Sequence, residues 1–129
     1  MSGFELLEHT ADLGFRVRAG SEEELFAAAG GALASIVMDT SAAAARERYA
    51  IAPLEGPVEE RLVHYLNEVL WLMDAGGVAP ARWEPDAVWG EPRDPAKHPP
   101  RLVVKAVTFH QLRVWRHADR WGAEVYLDV

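Results

Sequence analysis

The sequence predicts an α+β fold, a mostly antiparallel β-sheet with two amphipathic α-helices packed against it. Two segments repeat apolar residues every three to four positions, as a helix that buries one face does. Several shorter segments alternate apolar and polar residues, which is typical of half-buried strands. The last of these follow one another through short turns, and short turns join antiparallel neighbours. These three observations define the fold class.

The first helix is predicted to begin at Ser21, because Ser21 and Glu24 form a capping box ahead of an apolar stripe. It should end near residues 38–39. Two adjacent glycines, Gly30 and Gly31, interrupt the stripe at roughly 1 kcal/mol each relative to alanine. A cost of that size suggests that another backbone approaches the helix closely at this point.

The second helix has the clearer pattern. Gly56 and Pro57 begin it, with Pro57 at the favourable first helical position, and the pair Gly76 and Gly77 ends it. Its predicted buried face consists of Val58, Leu62, Tyr65, Leu66, Val69, Leu72 and Met73.

The remaining segments are predicted to be strands or irregular structure. Residues 78–100 are rich in proline and are predicted to be irregular, with Trp83 and Trp89 as anchors of a short hairpin. The predicted strands are 4–7, 13–17, 49–54, 102–109, 112–115 and 123–129, of which the last three form an antiparallel meander.

Composition restricts the function classes. At 129 residues the chain is predicted to be a single domain covering residues 1–129. The absence of cysteine excludes disulfides, zinc–thiolate sites and thiol nucleophiles. No signal peptide or membrane-spanning run is visible, so a reduced, cytoplasmic setting is expected. The formal charge of -7 disfavours extensive direct nucleic-acid binding and favours a basic protein partner or a bound cation.

Two carboxylates near the two ends of the sequence form a candidate cation site. Asp12 closes the stretch E-H-T-A-D between the first two predicted strands, and Asp128 is the penultimate residue. The apolar alternation of the last strand runs to Val129, so this end is expected to be docked in the sheet, with the carboxylate of Val129 beside that of Asp128. The alternatives are an Asx turn at Asp12 and a solvent-facing side chain at Asp128.

If these carboxylates meet, their repulsion must be relieved. At about 5 Å they would repel by roughly 3 kcal/mol at an effective dielectric constant near 20, so either one of them binds a proton or a cation lies between them. Ligands that are all oxygen select a hard cation. Calcium accepts irregular geometry and several protein oxygens, whereas magnesium tends to keep its waters.

A third acidic residue, Asp39, lies at the predicted carboxyl end of the first helix, where the helix dipole disfavours an anion. A nearby cation would relieve that cost. The equally weighted alternative is that Asp39 lies past the helix and caps residues 41–45.

Other candidate groups have weaker signals. Glu60 and His64 have the spacing of metal ligands on a helix, but a solvated helix face is the commoner reason for such a pair. Lys105 interrupts the apolar segment V-V-K-A-V. If the alternation holds, it shares a strand face with Val103, Val107 and Phe109, its stem crossing the sheet edge and its ammonium group in water. The alternative is a functional lysine near the acidic cluster. No G-x-S-x-G elbow and no phosphate-binding glycine loop is present, which argues against a hydrolase.

Eight short motifs occur in order along nearly the whole length of the chain. The motifs are E-H-T-A-D-L-G at 8–14, S-x-E-E-L-F-x-A-A at 21–29, M-D-T at 38–40, L-N-E-V-L-W-L-M-D at 66–74, W-G-E at 89–91, K-H-P at 97–99, V-K-A-V-T-F-H at 104–110 and L-D-V at 127–129. Each motif alone is short, whereas the ordered set is specific, and together the motifs resemble the archease family.

The resemblance implies a function. Archeases act as cofactors of the tRNA-splicing RNA ligase of the RtcB type, which joins RNA ends after guanylylating itself with GTP and a divalent metal. The chain is then expected not to be an enzyme itself, but to promote guanylylation and multiple turnover of such a ligase. A divalent-cation site is also implied, with calcium first and magnesium or manganese as alternatives. The implied ligands are Asp12, Asp128, the backbone oxygen of Val129 and the nearby acidic residue Asp39.

Some features remain unassigned. His9, Lys105 and His110 match family motifs without an implied role. Family members commonly carry two full strands in the region of residues 75–89, and the short, proline-flanked segment here predicts a shortened hairpin. Two other function classes stay open, a metal-dependent phosphoester hydrolase and a general chaperone or interaction module.

Overall fold

The computed structural model describes residues 3–8 and 13–129. These residues form two helices and seven strands, and every strand pairing among them is antiparallel, so the predicted fold class is confirmed. The helices are α1 (Glu22–Val37) and α2 (Val58–Asp74). The strands are β1 (Phe4–Glu8), β2 (Leu13–Ala19), β3 (Glu47–Ala50), β4 (Val78–Glu84), β5 (Ala87–Pro92), β6 (Ala106–His117) and β7 (Arg120–Asp128).

The described strands form two sheets, whereas the sequence predicted one. The first has the order β1-β2-β7-β6 and the second the order β3-β5-β4. Helix α1 contacts β2 and β7 of the first sheet and β4 of the second, while α2 contacts β6 and β4. Both helices therefore bury their apolar faces in one core that joins the sheets. Its largest fully buried side chains include Phe15, Leu25, Leu33, Leu62, Leu66, Met73 and Leu127.

Both helices begin and end close to the predicted residues. The Ser21 hydroxyl accepts a hydrogen bond from the Glu24 N–H (3.1 Å), which satisfies one of the free donors at the start of α1. Pro57, predicted to be the first helical residue of α2, occupies its N-cap, so the helix begins one residue later, at Val58. Neither described helix has the length and apolarity needed to cross a membrane.

The glycine pair in α1 faces a side chain rather than the backbone that the sequence predicted. A Cβ atom added to Gly30 would lie 2.6 Å from the indole ring of Trp83 in β4. At Gly31 the nearest neighbour would be the indole nitrogen at 3.7 Å, which is an ordinary contact. Gly30 therefore allows the second sheet to pack directly on the helix backbone.

The short hairpin predicted within the proline-rich residues 78–100, with Trp83 and Trp89 in its strands, is present, but it is regular and is not shortened to the extent expected: it covers residues 78–92. Strands β4 and β5 have seven and six residues and are separated by Pro85 and Asp86 alone. Its prolines are tolerated because Pro80 lies next to a register shift and Pro92 is the last residue of β5, two places where a strand can do without a donor.

The predicted carboxyl-terminal meander is wrong in its strand count. Residues 106–117 form one long strand, β6, instead of two, and residues 102–105 precede it. The register against β7 shifts between Thr108 and Arg113, where Gln111 adopts a left-handed conformation (φ 55°). This irregularity breaks the alternation, so that one strand has the sequence pattern of two. The strand predicted at 49–54 is shorter and earlier, at Glu47–Ala50, because Pro53 cannot donate to a ladder.

Candidate functional site

The central pairing of the first sheet brings the two halves of the predicted cation site towards each other. Strands β2 and β7 pair with Leu13 opposite Leu127. Leu13 directly follows Asp12 in the chain, and Leu127 directly precedes Asp128. The start of β2 and the end of β7, the two central strands, therefore lie side by side at one end of the sheet, and we call this end the edge. Asp12 itself, like His9, lies outside the described residues.

The end of β7 is docked in the sheet, as the alternation predicted. Val125 and Leu127 are fully buried, whereas Asp128 is exposed and pairs with Ala106 of β6. Val129 follows with 42% of its surface exposed. A buried strand thus holds an exposed carboxylate, and the backbone of residues 128–129, at a fixed point of the molecular surface.

A segment that we call the strap, residues 99–105, connects this edge to the end of α1. The Arg101 and Leu102 N–H groups donate to the carbonyls of Val37 and Ile36 (2.9 and 3.2 Å), which have no partner within the helix. At its far end the Lys105 N–H donates to the Asp128 carbonyl (2.8 Å). The strap therefore fixes the last residue of β7 relative to the carboxyl end of α1.

Asp39 is held at the other end of the strap. Its Oδ1 accepts hydrogen bonds from the Ser41 hydroxyl (2.6 Å) and N–H (2.9 Å), and its own N–H donates to the Pro99 carbonyl. The guanidinium of Arg101 lies 3.7 Å from Oδ2. The Ser41 hydroxyl and N–H, with Arg101 as a smaller cause, hold the pKa of Asp39 below its ordinary value. Asp39 thus lies past the end of α1 and caps the turn at Ser41, as the second alternative from the sequence expected, while a bound cation at Asp39 stays a prediction.

The structure also shows a buried ionic cluster that sequence reasoning left without a role. Glu91 of β5 is 3% exposed and binds Lys97 Nζ (2.8 Å) and His98 Nε2 (2.8 Å). His98 is fully buried, and its Nδ1 accepts from the Asp94 N–H (3.0 Å), so Nε2 carries the proton that is donated to Glu91. The Ala44 N–H also donates to Glu91 (3.1 Å).

This cluster fixes the start of the strap, because His98 directly precedes Pro99. The hydrogen bond from Lys97 is the largest cause that lowers the pKa of Glu91 to about 2; burial opposes it, and bonds from His98 and the Ala44 N–H add to it. The signal in the sequence was the pair of motifs W-G-E and K-H-P, but nothing in their spacing indicated that they meet.

The weaker candidates do not join the edge as ligands. His64 Nε2 donates to the Ala52 carbonyl (2.8 Å), a contact with the loop after β3 that neither interpretation of the Glu60 and His64 pair predicted. Lys105 is exposed and lies before β6, and Val107 is buried while Phe109 is 58% exposed, so the predicted shared face is wrong. Within residues 3–8 and 13–129, no three His, Asp or Glu side chains converge as a metal site.

The described part of the edge fits a hard cation in its donor chemistry. An exposed carboxylate at Asp128 and the backbone at Val129 offer oxygen only, and a cation of the calcium type prefers oxygen donors. A complete site needs more oxygens than these residues supply. Asp12 is the candidate for a further oxygen ligand, because it directly precedes Leu13, which pairs with Leu127.

Fold and site together define an α+β protein with an exposed, oxygen-donating edge where β2 and β7 meet. The profile of the archease protein family (MTH1598/TM1083) matches residues 4–129. The chain is 34% identical over 138 residues to the protein archease of Methanopyrus kandleri, covering 98% of this chain and 99% of that protein. It is 30% identical over 142 residues to the protein archease of Pyrococcus furiosus, and that alignment covers 100% of this chain and 100% of that protein. The chain therefore belongs to the archease family, as its motifs predicted.

Two solved structures support the fold. The solution structure of protein 1598 of Methanobacterium thermoautotrophicum superposes with a TM-score of 0.76 at 28% identity, covering 98% of this chain and 99% of that one. The crystal structure of an archease and possible chaperone, TM1083 of Thermotoga maritima, gives a TM-score of 0.63 at 22% identity, with 97% and 96% covered. The second likeness is evidence of the shared fold alone.

Proposed function

We propose that this protein is a non-catalytic cofactor of a tRNA-splicing RNA ligase of the RtcB type, which promotes GTP-dependent guanylylation and multiple turnover of that ligase. It would act in the cytoplasm through a divalent-cation site, with calcium as the first candidate and magnesium or manganese as alternatives. We call the proposed site the acidic edge; it comprises Asp12, Asp128 and Val129, with Asp39, which is held at the other end of the strap, as a further candidate ligand.

The pairing of Leu13 with Leu127 is the observation that carries this proposal. Residues opposite each other in an antiparallel ladder have Cβ atoms about 4.5–5.5 Å apart. If the ladder extended by one residue, Asp12 and Asp128 would be such a pair. Their mutual repulsion would then favour a shared cation.

The protein's own contribution is to hold carboxylates in position on a rigid scaffold. β7 presents Asp128 from a buried strand, and the strap fixes its carbonyl through Lys105. A hard cation bound here would supply positive charge with open coordination positions for phosphate oxygens. The acidic edge would dock at the basic, metal-binding active site of the ligase, and complementary charge would speed their encounter.

A guanylylation assay with the ligase of the same organism tests the proposal. We expect Asp12→Ala and Asp128→Ala to lose at least tenfold of the stimulation of guanylylation, because each removes one oxygen ligand. Asp119→Ala is the matched control, since Asp119 is exposed in the turn at the opposite end of β7. That variant should stimulate as the wild type does.

Two results would reject the proposal. If both edge variants stimulate as well as Asp119→Ala, the acidic edge does not carry the activity. If the protein instead suppresses aggregation of unrelated proteins, and does so equally in the Asp12→Ala variant, a general chaperone is the better description. The relative described as a possible chaperone makes this second comparison worthwhile.

A further inference from the structure

A second surface begins at the amino end of α1 and extends along α2 to β6. A cavity of about 130 Å³ is enclosed by the first turns of α1, the loop after β3 and α2, with Phe26, Ile51 and Leu54 in its apolar wall. An open trough between α2 and β6 adjoins it, shares Leu54 and His64 with it, and is lined by Val63 and Phe109. We call the cavity and trough together the glutamate groove, for the carboxylates at its rim: Glu22, Glu23, Glu55 and Glu60.

The walls of the groove are held in place by hydrogen bonds. Arg61 forms a bidentate ion pair with Glu22 (2.8 and 3.0 Å), and its Nε donates to the Gly56 carbonyl (2.9 Å). His64 is fixed on the Ala52 carbonyl, and the Tyr65 hydroxyl donates to the Glu84 carbonyl (2.9 Å). A preformed site loses little conformational entropy when it binds a ligand.

Charge and exposure indicate what would bind there. Among the described residues that line the groove, four carboxylates face one guanidinium, a net charge of -3, and that guanidinium is already paired with Glu22. Leu54 and Phe109 remain 44% and 58% exposed. An exposed apolar patch with a rim of one charge is typical of a binding site, and this charge repels nucleic acid.

We propose that the glutamate groove binds a cationic segment of a protein partner, with one apolar side chain in the cavity and a second in the trough. A cavity of about 150 Å³ can hold a benzene-sized group, so the somewhat smaller cavity here suits one leucine-sized side chain. Lysine or arginine residues between the two anchors face Glu23, Glu55 and Glu60.

The cavity lies away from the acidic edge, because Glu22 begins α1, the strap binds the last residues of α1, and a helix of 16 residues is about 24 Å long. The trough comes nearer to the acidic edge, since Phe109 lies on β6 three residues after Ala106, which pairs with Asp128. The inference does not rest on the proposed function, because it uses only the lining of the groove. Its test needs neither the ligase nor a metal.

The experiment is a titration of ¹⁵N-labelled protein with a capped synthetic peptide of repeating lysine-lysine-leucine pattern. We expect saturable chemical-shift changes centred on residues 51–54, His64 and Phe109. A peptide with glutamate in place of lysine should not bind, and one with alanine in place of leucine should bind more weakly.

Matched variants separate the groove from general electrostatic attraction. Leu54→Ala should weaken binding about fivefold through lost apolar contact, whereas Val103→Ala, at a position 80% exposed near the other end of α1, should not.

The double variant Glu23→Gln/Glu60→Gln should weaken binding about threefold more than Asp74→Asn/Asp119→Asn, which removes the same charge from exposed positions elsewhere. The proposal is overturned if the peptide does not bind, if shifts spread over the whole surface, or if both double variants weaken binding equally.

Discussion

At the scale of single residues, Glu91 has the most unusual environment in the described part of the chain. Its carboxylate is nearly inaccessible to water, yet it accepts hydrogen bonds from Lys97, His98 and the Ala44 N–H. Partners on several sides favour the ionised form despite burial. Lys97 remains 43% exposed, so its ammonium group can return to water if Glu91 is replaced.

The pH dependence of stability should report this cluster. The pKa of Glu91 is about 2 in the folded protein, below its ordinary value of 4.5, so its ionised form favours folding. That contribution is complete above pH 4.5 and is lost as the pH falls towards 2. We expect Glu91→Gln to unfold at a lower temperature than the wild type at pH 6, and the difference to shrink steadily below pH 4.5.

Thermal unfolding followed by circular dichroism between pH 2 and 6 measures this difference. Glu55→Gln, which removes the same charge from an exposed position, is the control and should leave the acid dependence unchanged. A constant difference between wild type and Glu91→Gln across that range would contradict the assignment.

At the scale of secondary-structure elements, the two adjacent glycines of α1 have different reasons to be glycine. Each glycine by itself makes the helix less stable than alanine would at the same position. Only at Gly30 would a Cβ atom collide with the Trp83 ring (2.6 Å), where β4 packs on the helix, whereas at Gly31 it would contact the ring nitrogen at an ordinary 3.7 Å. Substituting each glycine in turn therefore distinguishes the effect of intrinsic helix propensity, which is the same at both positions, from the effect of packing against β4, which differs between them.

We expect opposite effects from the same substitution. Gly30→Ala should lower the free energy of unfolding by about 1–3 kcal/mol, because its Cβ forces Trp83 out of its packed position. Gly31→Ala should raise it by about 0.5–1 kcal/mol, because the backbone becomes less flexible and its Cβ makes an ordinary contact. Urea unfolding of both variants measures the difference, and a stabilising Gly30→Ala would show that the ring is not held as described.

The elements also show which parts of the fold were predictable. Helices α1 and α2 were predicted closely, because capping and the 3.6-residue period are properties of neighbouring residues. Strand β6 was predicted as two strands, since the irregularity around Gln111 depends on its pairing with β7. Hairpin β4–β5 was predicted, with Trp83 and Trp89 in it, but as a shortened one in an irregular segment. Pro80 and Pro92 argue against long strands until the pairing shows that neither position disturbs the ladder.

At the scale of the whole molecule, the candidate site depends on contacts between distant parts of the sequence. The pairing of Leu13 with Leu127 and the bond from Lys105 to Asp128 join segments that no local pattern relates. Family motifs indicated which acidic residues to consider, while the alternation of β7 indicated only that its end is docked. The meeting of Glu91 with Lys97 and His98 was likewise beyond local reasoning, because it requires β5 and the segment before the strap to be placed first.

A cation at the acidic edge would link the start of β2 to the end of β7, so its binding should stabilise the whole fold. A ligand that binds only the folded state adds about 2.7 kcal/mol to the free energy of unfolding at a hundred times its dissociation constant. We expect calcium to raise the unfolding temperature of the wild type and of Asp119→Asn, but not that of Asp128→Asn. The same measurement with magnesium and with manganese, on protein first treated with a chelator, ranks the three cations by the rise in unfolding temperature that each produces.

Hydrogen exchange distinguishes a local from a global effect of the cation. Because β7 pairs with both β2 and β6 in the first sheet, protection should increase along β2 and β7 on calcium binding and change least in β3, β4 and β5 of the second sheet. Equal stabilisation of Asp128→Asn and Asp119→Asn would show that calcium binds elsewhere. In that case the pairing of β2 with β7 would serve the fold alone, and the acidic edge would lose its proposed ligand.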